Sequence, residues 1–156
     1  MGVALFFHLT RSTAEDVVRL NAGRAMARGW RVLVRGGDLQ RLSTLDDRLW
    51  EEPAESFLPH GMAGGDHDAE QPLLLTMGRE MANSPQALLA LDGAEVTVEE
   101  IEALERVWIV FDGLDPQAME VARAQWRSLT GAGAEAEYWS EASGRWQMQT
   151  AKRKDA

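Results

Sequence analysis

The 156-residue sequence contains no cysteine. Disulfides, thiolate zinc sites and cysteine nucleophiles are thereby excluded, and the usage fits a reducing, cytoplasmic setting. No apolar run approaches the roughly 18 residues that a bilayer span needs, so no membrane partner is expected. The opening MGVALFFHLTRS has neither a basic n-region nor a small-residue cleavage site, so no secretory leader is expected. Phe6 stands where N-myristoylation would want Ser or Thr. There is no GxxxxGK[ST], and no GxGxxG follows a predicted strand, so nothing offers a glycine cradle to a pyrophosphate. GxSxG is absent as well. Positive charge is scarce: 16 Lys and Arg stand against 25 Asp and Glu, a net −9. That balance argues against a long nucleic-acid footprint.

The charge is unevenly spread. Residues 1–36 carry six Arg and two acids, residues 37–122 four Arg and nineteen acids, and residues 123–156 six bases and four acids. If the first and last helices lie near each other, they make a local basic face on an acidic protein. Such a face suits a short acidic ligand better than a duplex. Direct single-strand binding through the arginines of the first helix is a weaker reading.

What is present is an alternation of strand and helix patterns. VALFFHL (Val3 to Leu9) is an apolar run of strand length. Ser12 and Glu15 have capping-box spacing, and Val18, Ala22, Ala25 and Met26 recur at helical spacing until Gly29. WRVLVR (Trp30 to Arg35) reads as a strand. A helix after Asp38 puts Leu42, Leu45 and Leu49 on one face. Residues 53–72 read as a long loop. LLLTM (Leu73 to Met77), ALLALD (Ala87 to Asp92) and RVWIVFD (Arg106 to Asp112) are buried-strand candidates, with a short helix capped by Thr97 and Glu100 between the last two. Asp115 and Pro116 start a helix that runs to about Thr130. EAEYWSE and RWQMQ flank a turn and predict a hairpin. The pattern predicts one domain over residues 1–150 and a frayed tail over 151–156. Its fold class is a three-layer α/β/α, Rossmann-like, mostly parallel sheet with a C-terminal β-hairpin. Ligands on such sheets bind outside the strands' carboxyl ends.

Catalytic candidates are few. Asp112 ends a hydrophobic strand, as a magnesium ligand does in phosphate-loop enzymes, but without that loop it reads as a turn residue. His60, Asp66, His67 and Asp68 have the chemistry of a zinc or manganese site. Their setting is a glycine-rich loop rather than a rigid helix. His8 falls within the first strand and reads as a satisfied histidine. Glu51–Glu52 and Glu99–Glu100 read as solvated pairs. These residues frame the alternative of a small nucleotide- or metal-dependent hydrolase. The helix from Pro116 offers more. Arg123 and Arg127 are one turn apart, beside Trp126, above an apolar stripe of Met119, Ala122, Trp126 and Leu129. A basic rim with an aromatic wall suits an acidic peptide that ends in an apolar residue.

The most distinctive stretch is LDDRLWEEPAESFLPHGMAG (Leu45 to Gly64). Trp50 and Phe57 sit where Pro53 and Pro59 interrupt any continuous ladder. This stretch resembles the signature LDxxLWxxPxxSFxPH of the chi subunit of bacterial DNA polymerase III. Leu45, Asp46, Leu49, Trp50, Pro53, Ser56, Phe57, Pro59 and His60 match it. The resemblance extends more loosely over the whole chain.

The resemblance implies an accessory protein of DNA replication without an active site or cofactor. Such a protein joins the clamp-loader complex through the psi subunit. It binds the acidic C-terminal tail of single-stranded-DNA-binding protein (SSB), and so meets nucleic acid mainly indirectly. It implies that Arg123, Trp126 and Arg127 bind the SSB tail. Trp50, Phe57, Leu58 and Pro59 would face psi or an equivalent replisome or helicase partner. The sequence departs from the family in its final hairpin, Glu135 to Gln149, which is longer than in the best-known members. Met119 also stands where a basic residue is common.

Overall fold

A computed structural model describes residues 2–51 and 58–153. Its elements are β1 (Ala4–Leu9), α1 (Ala14–Val17), a π-helical turn (Val18–Ala22), α2 (Gly23–Ala27), β2 (Val32–Gly36) and α3 (Leu39–Glu51). They continue with β3 (Gly61–Met62), a 3-10 turn (Asp68–Glu70), β4 (Leu73–Thr76), β5 (Ala87–Leu91), α4 (Val98–Ala103) and β6 (Arg106–Asp112). The last are α5 (Pro116–Gly131), β7 (Ala136–Ser140) and β8 (Gln147–Lys152).

These strands form one sheet in the order β3-β4-β2-β5-β6-β1-β7-β8. Every neighbouring pair is parallel except the β7–β8 hairpin. The inner strands are apolar throughout because both faces are covered. Leu5, Val34, Leu89, Trp108 and Val110 point to the face packed by α1–α3, where Val18, Leu42 and Leu49 are buried. Phe6, Leu33, Leu88, Ile109 and Phe111 point to the face covered by α4 and α5, where Ile101, Ala122 and Leu129 are buried. The α/β/α class read from the sequence is the observed one.

Three local details differ from the expectation. The first helix is interrupted by the π turn instead of running uniformly to Arg28. Its cap is Thr13 with Asp16, not Ser12 with Glu15. Ser12 Oγ donates instead to Glu141 Oε1 at 2.8 Å, so the cap shifts one residue. Finally, β8 continues through Ala151 and Lys152, which pair with Glu137 and Ala136. The ladder thus holds two residues of the segment expected as a frayed tail, and residues 154–156 lie outside the description.

The connections from β1 and β6, neighbours in the sheet, leave to opposite faces. A crevice of about 690 Å³ opens at their carboxyl ends, lined by Thr10–Ala14, the β5 end at Asp92 and the start of α5. In nucleotide-binding sheets the first strand-to-helix turn supplies the N–H groups that hold phosphate. Here those groups already have an anion. Glu141, 5% exposed, accepts from the backbone N–H of Thr10 (3.1 Å), Arg11 (3.0 Å) and Ser12 (2.7 Å) with one carboxylate oxygen. The β7–β8 connection is thereby tied to the β1 turn.

Burial pushes the Glu141 carboxyl up, but the hydrogen bonds from Ser12, Arg11 and Thr10 outweigh it and hold the group below its ordinary value of 4.5. A carboxyl lowered in the folded state stabilises above the unfolded value and loses that contribution as the pH falls through the folded one. Glu141→Ala is expected to cost about 2–3 kcal/mol at neutral pH, because it leaves amide donors unpaired. The deficit should shrink in acid below the ordinary carboxylate range. Urea denaturation midpoints at neutral and acidic pH check both statements.

Candidate functional site

Helix α5 starts cleanly because Asp115 accepts from the Gln117 N–H (3.0 Å) and Pro116 fills the first turn. It lies on the sheet through Ala122 and Leu129, both buried. The same register leaves Arg123, Trp126 and Arg127 beside a second opening of about 270 Å³. All three line it, together with Phe111 from β6, Met119, Tyr138 from β7 and Thr150 from β8. Drug-sized ligands occupy about 300–1,000 Å³. This smaller cleft suits one side chain with an adjoining polar end.

Trp126 is only partly buried, and its ring meets Phe6 edge-on, with centroids 5.2 Å apart. It is half core and half wall. Arg123 and Arg127 are exposed. Arg123 reaches Glu120 at 2.9 Å, whereas Arg127 makes no ion pair among the described residues. The apolar stripe and the basic pair read from the sequence therefore belong to one cleft. Sequence reasoning did not find Phe111, Tyr138 and Thr150, because they reach the cleft from three separate strands. Only the pairing of β7 with β1, Tyr138 beside Phe6, brings the far wall in.

The loop candidates behave differently. His60 has a fully buried ring. One ring nitrogen lies 2.6 Å from Leu58 O and the other 3.1 Å from Asp46 Oδ1. Trp50 covers the ring with centroids 4.6 Å apart while staying 56% exposed. Leu58 packs partly buried against the α1–α3 core, and Pro59 is exposed. Phe57 lies outside the described residues.

The groups read as a possible metal cluster are dispersed. His67 faces Glu70 at 2.9 Å, Asp68 accepts from the N–H groups of Gly64 and Gly65, and His60 faces α3. Among the described residues no group of three or more His, Asp or Glu is placed to hold a metal ion. Asp112 accepts from the Leu114 N–H at 2.9 Å, the turn role expected of it.

The cleft, together with the Asp46–His60–Trp50 arrangement, can be set beside known proteins. A family model described as "DNA polymerase III chi subunit, HolC" matches residues 1–137. The chain belongs to the DNA polymerase III chi subunit family. It is 36% identical over 70 residues to the DNA polymerase III subunit chi of Pseudomonas aeruginosa, covering 45% of this chain and 48% of that one. It is 32% identical over 78 residues to the same-named subunit of Escherichia coli K12, covering 50% and 53%. The chain thus spans about half the length of these curated relatives in the matched regions.

For this chi-family chain the signature segment now has a physical content. Leu45 and Leu49 are core residues, and Asp46, Trp50 and His60 together fix the far end of the loop onto α3. The matched region ends at 137, so the β8 half of the hairpin, with Thr150, lies beyond it. Tyr138 is the first residue past the match. The structure also revises one charge argument. The first helical segment packs on one face of the sheet through Val18 and Ala25, and α5 packs on the other through Ala122 and Leu129, so the first and last helices do not join into one basic face. Among the described residues no helix is long and apolar enough to cross a membrane.

Proposed function

We propose that this chain is a non-catalytic accessory subunit of DNA polymerase III. It links the clamp-loader complex to SSB in the cytoplasm by holding SSB's acidic C-terminal tail in the α5 cleft. It is a single domain, and it meets nucleic acid through SSB. The observation that carries the reading is the convergence of Arg123, Trp126 and Arg127 on one apolar-walled cleft.

The energetics divide the labour within the cleft. Exposed charge pairs give about 0–1 kcal/mol each. A micromolar complex needs about 8 kcal/mol. The apolar end of the peptide, seated against Phe111, Met119 and Trp126, must supply most of that, while the arginines orient it and select for acid. Association is tested by co-sedimentation of the chain with intact SSB and with SSB lacking its acidic tail. Capture by the intact protein alone supports the reading, and equal capture by both forms contradicts it.

A second contact belongs to the same role. We infer that Trp50, with Phe57, Leu58 and Pro59, docks the psi subunit or an equivalent replisome partner. Half of the Trp50 surface is open while its ring rests on His60, and exposed aromatic anchors commonly dominate binding. Trp50→Ala is expected to cost under about 1.5 kcal/mol of stability, because the side chain is largely solvated already. It should weaken partner capture at least tenfold. A stability loss several times larger, with capture intact, would make Trp50 structural.

A further inference from the structure

The sheet face that carries α1–α3 ends, toward β7 and β8, in a strip of aromatic side chains. The helices of that face pack over β6, β2 and β4. Beyond them, Phe7 on β1 and Trp139 on β7 are partners in register. Trp146, from the β7–β8 connection, lies against Phe7 with ring centroids 4.8 Å apart. Met148 pairs with Trp139 across the hairpin and is 48% exposed. The three rings rest on the core of this face, and each is only partly buried.

Cations stand at both ends of the strip. At one end the Arg11 guanidinium lies beside the hairpin turn: a Cβ on Gly144 would fall 3.8 Å from its Nη2. Arg145 is the next residue of that turn. Both arginines are exposed and make no ion pair among the described residues. At the other end Arg153 reaches Glu137 at 2.8 Å, and the Trp139 indole N–H donates to the same carboxylate at 2.9 Å. The acids on this face are therefore already neutralised. Glu137 has Arg153, and Glu141 has the backbone N–H groups of Thr10, Arg11 and Ser12. Arg11 and Arg145 are left as uncompensated positive charge on a protein of net −9.

Partly open aromatic rings beside free arginines suit single-stranded nucleic acid. Every base offers a π face, so stacking tolerates any sequence, and the cations take phosphates. A duplex hides its base faces, and an acidic peptide brings charge without bases to stack. We propose that this strip binds a short single-stranded nucleic acid, with a base stacked on Trp139 and phosphates held by Arg11 and Arg145. The footprint is short, in keeping with an acidic balance that argues against a long one. This site goes beyond tail binding and does not depend on it, because the strip and the α5 cleft lie on opposite faces of the sheet. From Trp139 onward its residues also lie beyond the family match, which ends at residue 137.

The test uses the full chain and a fluorescently labelled oligothymidylate of about eight nucleotides, within the usual site size of such surfaces. Anisotropy titrations should show saturable binding that weakens about sevenfold between about 50 and about 200 mM salt, because two phosphate contacts on a single strand give a log–log slope of about −1.4. Trp139→Ala should weaken binding about tenfold, whereas Trp139→Phe, which keeps a stacking face, should retain most of it. Arg145→Glu lies in an exposed turn and leaves the core untouched; it should weaken binding about fivefold at the lower salt. Arg127→Glu, in the α5 cleft, should leave strand binding unchanged while it weakens the SSB tail. An oligouridylate of the same length that binds equally well or better supports the surface and extends it to RNA. No binding of either strand at low salt overturns the proposal and leaves the tail-binding reading standing. Binding that Trp139→Ala and Arg145→Glu both leave intact overturns the location. A polyglutamate of equal charge that competes as well as the oligonucleotide overturns the stacking role.

Discussion

Replacing Arg35 with alanine is expected to destabilise the protein by about 3–5 kcal/mol, the usual cost of removing one partner from a buried ion pair. Arg35 is 2% exposed and sits on β2, a strand buried on both faces. Its guanidinium forks onto both oxygens of Glu100, at 3.0 and 2.8 Å. It also donates to the carbonyls of Gly78 (3.0 Å), Glu95 (2.9 Å) and Arg79 (3.2 Å). One side chain therefore ties the segment after β4 and the approach to α4 onto the centre of the sheet. Alanine would leave the Glu100 carboxylate without its cation and those carbonyls without a donor.

The acid limb of stability carries a second signature. Burial pushes the Glu100 carboxyl up, but the bonds from Arg35 and Thr97 prevail and hold it below 4.5. Its contribution is present above that ordinary value and is lost as the pH falls through the lowered one. Arg35→Ala should flatten this limb, and denaturant midpoints across the acidic range measure it. A variant with wild-type stability and an unchanged acid limb would show that the network contributes little.

Reversing the charge at Arg127 should have the largest effect on binding while leaving the fold intact. The side chain is exposed and makes no ion pair among the described residues, so Arg127→Glu removes no structural contact and should shift stability by no more than about 0.5 kcal/mol. Within the cleft it replaces a donor with a carboxylate facing an acidic peptide. Losing one favourable pair and adding one repulsive pair, each about 0–1 kcal/mol in open solvent and more once the ligand excludes water, gives an expected loss of at least thirtyfold. The effect should be stronger at low ionic strength, because screening acts on both pairs. Calorimetric titration with the SSB tail peptide at two salt concentrations measures it. Unchanged affinity at low salt would remove Arg127 from the site.

Much of the fold was legible in the chain. Buried parallel strands leave unbroken apolar runs, and Asp115 with Pro116 marks a helix start that tertiary context did not alter. The pairing of Arg123, Trp126 and Arg127 on one face followed from helical spacing. The remainder depends on contacts distant in sequence. Glu141 meets Thr10, Arg11 and Ser12 across more than a hundred residues, and it takes Ser12 away from the cap that local spacing assigns to it. Arg35 entered the sequence reading only as the end of a strand and as one of six N-terminal arginines, because nothing local marks its partner Glu100. Tyr138 and Thr150 became cleft residues only through the sheet order that places β7 beside β1 and β8 beside β7. Lys152 read as part of a tail because antiparallel pairing of the last strand depends on β7, not on its own polar sequence.

The claim that the α5 cleft holds the SSB tail is tested most directly by amide and indole chemical-shift mapping during titration with the C-terminal SSB peptide. The account predicts saturable shifts centred on Arg123, the Trp126 indole, Tyr138 and Thr150. Residues lining the larger crevice, such as Asp92 and Leu114, should stay unmoved. Shifts centred on that crevice, or none at a saturating peptide concentration, would contradict it.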